Sequence, residues 1–146
     1  MATCDNLVRR HVLNTSPETD CIFCHSQMED LEHILFLCEK TGEIWNAFLR
    51  WIGKSSALHH NAKEHFLAFI GLGNKAETRF LTGLWISIVW SIWKERNNCI
   101  FKQGVWNKDK LVLEIKMKLW CWKMIFKLEA PVLDLQAWLS LEGILS

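Results

Sequence analysis

Apolar residues return at three- and four-residue steps through much of the chain, and the steps mark out helices. Leu111, Ile115, Leu119, Trp122 and Phe126 form one stripe among charged residues, which predicts a long amphipathic helix opened by Asn107 and running to about Leu128. Upstream, Leu84 to Trp93 is ten residues interrupted only by serine. A membrane span needs about 20 apolar residues, so this run predicts instead a buried central helix from about Ala76 to Ile100, with Trp85, Ile88, Val89 and Trp93 inside and Gly104 beyond its end. Ile44, Trp45, Phe48, Leu49 and Ile52 predict another helix over Glu39 to Ile52, closed by Gly53. Between the two lie a polar connection, Lys54 to Lys63, and a short apolar element, His65 to Ile70. Leu7, Val8, Val12 and Leu13 give a short helix over Asp5 to Leu13, and Pro131 opens a last one that Gly143 terminates. No stretch alternates as a strand does over its length, and no internal repeat or Gly-rich phosphate loop occurs.

One stretch carries a different signal. Cys21 and Cys24 are followed by His33 and Cys38, a C-x2-C-x8-H-x4-C spacing that reads as four ligands for one zinc ion. Two residues between the first thiolates close a tight knuckle, and three soft sulfurs with one imidazole suit tetrahedral zinc. A full protein shell leaves no position for water or substrate, so such a site is structural. His25 is a rival ligand, but it adjoins Cys24 and is poorly placed to aim at the same ion. His33 and Cys38 stand about 140° apart on a continuous α-helix, so a break or tightened turn is expected between Leu35 and Cys38. Two other readings of these thiols exist. Disulfides require an oxidising compartment, whereas the start of the chain has no signal-peptide pattern; alternatively, the thiols are small buried hydrophobes. The expected fold is therefore mainly α, a zinc knuckle near the N-terminus followed by a small helical bundle. Its expected parts are a zinc-binding module over 1–53, a linker and short helix over 54–75, and a helical region over 76–146 packed on it.

Composition adds little to this picture and charge adds more. At 146 residues, 50% hydrophobic and 23% charged, the chain has the make-up of one globular domain, unusual in having nine Trp and no Tyr. The net charge of +1 argues against a strongly basic nucleic-acid binder. Yet residues 1–60 hold five basic against eight acidic side chains, and Lys94 to Lys127 nine against three, a net of +6. A negatively charged partner is thus expected on the C-terminal half. There, Lys116, Trp120, Lys123 and Lys127 fall at i, i+4, i+7 and i+11, a stripe suited to phosphates and a stacked base. Arg9 and Arg10 are a second candidate. The bland alternative is that these cations lay their stems over core residues or face solvent. Glu29, Asp30 and Glu32 argue against phosphate lying on the knuckle itself. Cys99 and Cys121 read as core thiols, and His59 and His60 as part of a solvated loop.

Asp5-Asn-Leu-Val-Arg-Arg10, Cys-Ile-Phe-Cys, Glu32-His33-Ile-Leu-Phe-Leu-Cys38 and Ile44-Trp45, taken together, resemble the reverse-transcriptase zinc-binding domain of plant LINE-type non-LTR retrotransposons. Trp90-Ser-Ile-Trp93-Lys-Glu-Arg-Asn97-Asn-Cys-Ile-Phe101 looks like the segment that follows that domain, so the resemblance spans roughly residues 3–101. It implies zinc on Cys21, Cys24, His33 and Cys38, and a place C-terminal to a polymerase in an element that copies RNA into DNA. The polymerase, endonuclease and ribonuclease H portions are not in this sequence, and Cys4 stands where the family usually has a basic residue. With no nucleophile elbow or paired-carboxylate motif, catalysis finds no support. The expected function is a non-catalytic, intracellular zinc module that associates with RNA or single-stranded DNA and uses no membrane. The alternative is a structural or protein-interaction domain in which zinc stabilises the fold and exposed Trp residues dock a partner.

Overall fold

The computed structural model of the chain describes residues 20–57 and 59–127. The helices expected at Asp5 to Leu13 and after Pro131, with Arg9 and Arg10, lie outside them. Of the described residues 67% are helical and none forms a strand; a lone antiparallel bridge joins Asp20 to Met28. A π turn, His33–Leu37, precedes four α-helices: α1, Glu39–Trp51; α2, Ala62–Ile70; α3, Thr78–Phe101; and α4, Lys108–Phe126. No described helix is long and apolar enough to cross a membrane.

The helices begin and end where side chains satisfy their free backbone groups. Asn61 opens α2 by accepting from the Lys63 and Glu64 N–H groups, and Asn107 opens α4 by accepting from Lys110. Gly53 closes α1 at φ 69°, a left-handed conformation that spares glycine the Cβ clash, and Lys54 N–H then reaches back to Leu49 C=O at 2.9 Å. In the turn out of α3 the space beside Gly104 is taken by the Asn98 side-chain amide, which a Cβ there would displace.

Helix α3 is the central element and packs against the π turn and against α1, α2 and α4. Its inward face is Phe80, Leu81, Leu84, Ser87, Ile88, Ser91, Ile92, Trp93 and Arg96. Ile88 and Trp93 are buried as expected, whereas Trp85 and Val89 are only partly so. The serines, the polar interruptions of the apolar run, lie inside, while Ile86 and Trp90 are 50% and 55% exposed. A 3.6-residue repeat explains the inversion: Leu84, Ile88, Ser91 and Ile92 share one face, and small serines let neighbouring helices approach.

Helix α4 buries Leu111, Val112, Ile115, Lys116 and Leu119, and its expected apolar stripe stops there. Trp122 and Phe126 are 37% and 58% exposed, the Trp122 ring lying at the surface beside Gly83 of α3. Cys121, expected in the core, is exposed as well, while Cys99 packs against the core and burial raises its thiol pKa.

Candidate metal centre

The first two ligands come from a tight hairpin. Cys21 N–H donates to Gln27 C=O at 2.7 Å and His25 N–H to Cys21 C=O at 2.8 Å, folding Cys21-Ile-Phe-Cys24 into the expected knuckle. His25 takes the left-handed position of this loop, φ 53°, and is exposed. It is not among the ligands.

The second two ligands come from the π turn and its exit. Asp30 accepts the His33 N–H at 2.7 Å and so caps the turn, and Cys38 N–H closes it on His33 C=O, also at 2.7 Å. This i→i+5 bond is wider than an α-helical one. It answers the geometric difficulty seen in the sequence by loosening the turn rather than tightening it, and five residues now separate two groups on one side of the backbone. The chain then breaks from helical geometry at Cys38, ψ 133°, before α1 begins. Leu35 C=O, at this break, receives the Trp45 indole N–H at 2.7 Å, a buried bond that ties the turn to α1.

Cys21, Cys24, His33 and Cys38 thereby bring one ligand atom each to a common point, all within 4.8 Å of one another, a group that can hold one metal ion. The Cys21 and Cys38 sulfurs stand 3.8 Å apart, and Cys24 Sγ is 3.4 Å from His33 Nε2. Three of the four residues are buried and Cys24 is half-buried. Two thiols this close share a proton. The Cys21 S–H donates to Cys38, which draws the Cys38 pKa below its ordinary value, with the Thr41 and Lys40 N–H groups at the start of α1 contributing. The same bond, with burial, holds the Cys21 thiol above its ordinary range.

Two packing links that sequence reasoning missed join this centre to the bundle. Glu29, one residue past the bridge at Met28, is fully buried and accepts from Arg96 Nη2 at 2.6 Å and Nε at 3.1 Å. Phe23, inside the knuckle, packs on Trp106 in the turn between α3 and α4, with ring centroids 4.4 Å apart. Of the three acids expected to keep phosphate off the knuckle, Glu29 is thus internal, Asp30 is a cap, and only Glu32 is a plain exposed charge. Beneath the π turn lies an aromatic cluster in which His65 stands 4.5 Å from Phe36 and 4.4 Å from Trp45 and accepts the Trp85 indole N–H at 2.9 Å. Burial, with His59 adding to it, holds His65 neutral by lowering its pKa to about 4. His59 and His60 are exposed, as expected of a loop.

The cationic stripe expected on α4 does not form as a unit. Lys116 is 0% exposed, its ammonium lying 4.6 Å from the centre of the Trp51 ring on α1, and burial lowers its pKa to about 8. It sits beside Ile115 on the inward face and cannot reach a phosphate. Trp120 packs partly on the core with Lys123 Nζ 5.2 Å from its ring centre, and Lys127 is exposed at the left-handed C-cap. The spacing of Lys116 carried a signal, since it stands four residues after Val112 and three before Leu119 and so falls on the apolar face of the helix.

No known protein family, curated protein or solved structure matches this chain.

Proposed function

We propose that the protein is a non-catalytic zinc-binding module, derived from a retrotransposon reverse-transcriptase polyprotein, that associates with RNA or single-stranded DNA. The observation that carries the zinc reading is the size of the ligand cage. Tetrahedral zinc, with bonds of about 2.3 Å to sulfur and about 2.0–2.1 Å to nitrogen, has edges of about 3.8 Å between sulfurs and about 3.5 Å from sulfur to nitrogen. Two of the six edges here are 3.8 Å between sulfurs and 3.4 Å from sulfur to nitrogen, and all four ligand atoms lie within 4.8 Å of one another. Three thiolates and an imidazole favour zinc over the hard, oxygen-seeking cations. Because all four positions are filled by protein, the ion would hold the knuckle to α1 and have none left for substrate, which supports a non-catalytic role. The thiols must also stay reduced, which favours an intracellular setting.

Nucleic acid as partner is supported by the resemblance of residues 3–101 and by the basic balance between Lys94 and Lys127, where seven cations besides the buried Arg96 and Lys116 stand against three acids. A specific observation favours the protein-interaction alternative: Trp122, Met124, Ile125 and Phe126 leave an apolar surface exposed at the end of α4. Titrating zinc-loaded protein with single-stranded and duplex oligonucleotides over a range of salt separates the two. Phosphate binding gives a steep loss of affinity with salt. Absence of binding even at low salt would overturn the nucleic-acid reading in favour of a protein partner.

A further inference from the structure

A cleft of about 490 Å³ runs between the C-terminal half of α3 and the N-terminal half of α4, and its lining combines exposed rings with cations. Trp90 and Phe101, both on α3, are 55% and 56% exposed and line it. Eleven residues separate them, about 16 Å along a helix axis at 1.5 Å per residue, too far to sandwich one flat group and suited to two. Lys94, Lys102, Lys110 and Lys118 line the same cleft against two carboxylates, Glu95 and Glu114. Counting outward from the turn between the helices, Lys102 and Lys110 fall near Phe101, and Lys94 and Lys118 near Trp90. Each ring therefore has two cations beside it. The floor includes Ser91, whose buried hydroxyl has no hydrogen-bond partner among the described residues.

We propose that this cleft is the binding site for a single nucleic-acid strand, with Trp90 and Phe101 stacking two unpaired bases and the four lysines holding the phosphates between and beside them. The inference rests on the nucleic-acid reading above and moves its site off the stripe of Lys116, Trp120, Lys123 and Lys127. A duplex offers no free base face to the two rings, and an acidic peptide would meet the lysines while making little use of ring faces. The metal centre supports the cleft without touching its ligand. Glu29 fixes Arg96, one residue before Asn97 and two before Asn98 in the cleft wall, and Phe23 props Trp106 in the turn that closes the Phe101 end. Metal removal would then weaken strand binding although no metal ligand lines the cleft.

The test is fluorescence anisotropy of labelled oligo(dT) and oligo(U) with the full zinc-loaded chain, its Trp90→Ala/Phe101→Ala variant and its Lys94→Gln/Lys118→Gln variant. Melting curves and zinc content establish that each variant is folded, as substitution at the exposed Trp90, Lys94 and Phe101 and the half-buried Lys118 should leave it. The ring variant should lose about fivefold or more in affinity per base stacked. The lysine variant should have its salt slope lowered by about 0.7 for each phosphate that it no longer neutralises. If the parent binds and both variants bind as it does, the cleft is not the site and the nucleic-acid reading survives elsewhere on the surface. If the parent binds neither oligonucleotide at low salt, both fall. Poly-glutamate bound as tightly as oligo(dT), and released by the ring variant, would make the cleft a protein site and overturn the proposal.

Discussion

Arg96 and Glu29 are 67 residues apart in sequence and form a fully buried ion pair, 2.6 Å from Nη2 to Oε1. One belongs to the central helix and the other to the metal knuckle. Arg96 also donates to Asn97 Oδ1 at 3.0 Å and lies over the Trp93 ring, its guanidinium carbon 5.0 Å from the ring centre. A planar, always-charged group with several donors suits such a position better than lysine would. The pair makes the orientation of the knuckle on the bundle a property of two side chains.

Removing either member alone should therefore be costly. Arg96→Met leaves the Glu29 carboxylate buried without its charge partner, and a loss of about 3–5 kcal/mol is expected. Arg96→Met combined with Glu29→Leu should recover most of that loss, since a matched apolar pair replaces a matched charged one. Urea denaturation of the zinc-loaded single and double variants measures the coupling. Single variants within about 1 kcal/mol of the parent, below the range expected for buried pairs, would mean that the pair does not anchor the knuckle.

Trp45 carries a further link, from α1 to the π turn. Trp45→Phe keeps a ring in the aromatic cluster but removes the donor to Leu35 C=O, and an unsatisfied buried carbonyl costs about 1–3 kcal/mol. As that carbonyl lies in the π turn between His33 and Cys38, metal affinity should fall together with stability. Competition with a chromophoric chelator measures the first and thermal melting the second. Unchanged metal affinity would show that the turn holds its shape without α1.

The extents of the helices were legible in the sequence because single residues mark them: Gly53 can take a positive φ, Asn107 can cap, and the apolar repeats between such markers are long. The ligand set was legible too, since C-x2-C followed by His and Cys has few other uses. What escaped depends on distances that no local pattern encodes. His33 and Cys38 needed a departure from α-helical geometry, and the spacing shows that one is required without showing that it is a widening. The inward placement of Ser87 and Ser91, with Trp90 outside, follows from which face α3 turns to its neighbours. A ten-residue apolar run does not mark that face. The burial of Glu29, Arg96 and Lys116 was not read from the sequence because burial of a charge depends on a partner far along the chain, whether a carboxylate or the face of Trp51.

Lys116 gives stability a pH dependence with a definite sign. Its pKa is about 8 in the folded protein against 10.5 for an ordinary lysine. Between those values the unfolded chain binds the proton and the folded chain does not, so this group makes stability rise with pH across that window; below it both states are charged and the slope disappears. Lys116→Met preserves the stem that packs by Trp51 and removes the titration. Melting temperatures of parent and variant from pH 7 to 10 should therefore converge, with the parent gaining on the variant as pH rises. A constant difference would place the ammonium in water.

The proposed zinc centre is tested most directly by X-ray absorption at the zinc edge of protein purified and loaded with one equivalent of metal. The account predicts one tightly held zinc per chain with three sulfurs at about 2.3 Å and one nitrogen at about 2.0–2.1 Å. Cys24→Ser should reduce the sulfur count to two and weaken retention. A shell made only of oxygen and nitrogen, or a parent protein that takes up no zinc, would contradict the assignment of Cys21, Cys24, His33 and Cys38 as its ligands.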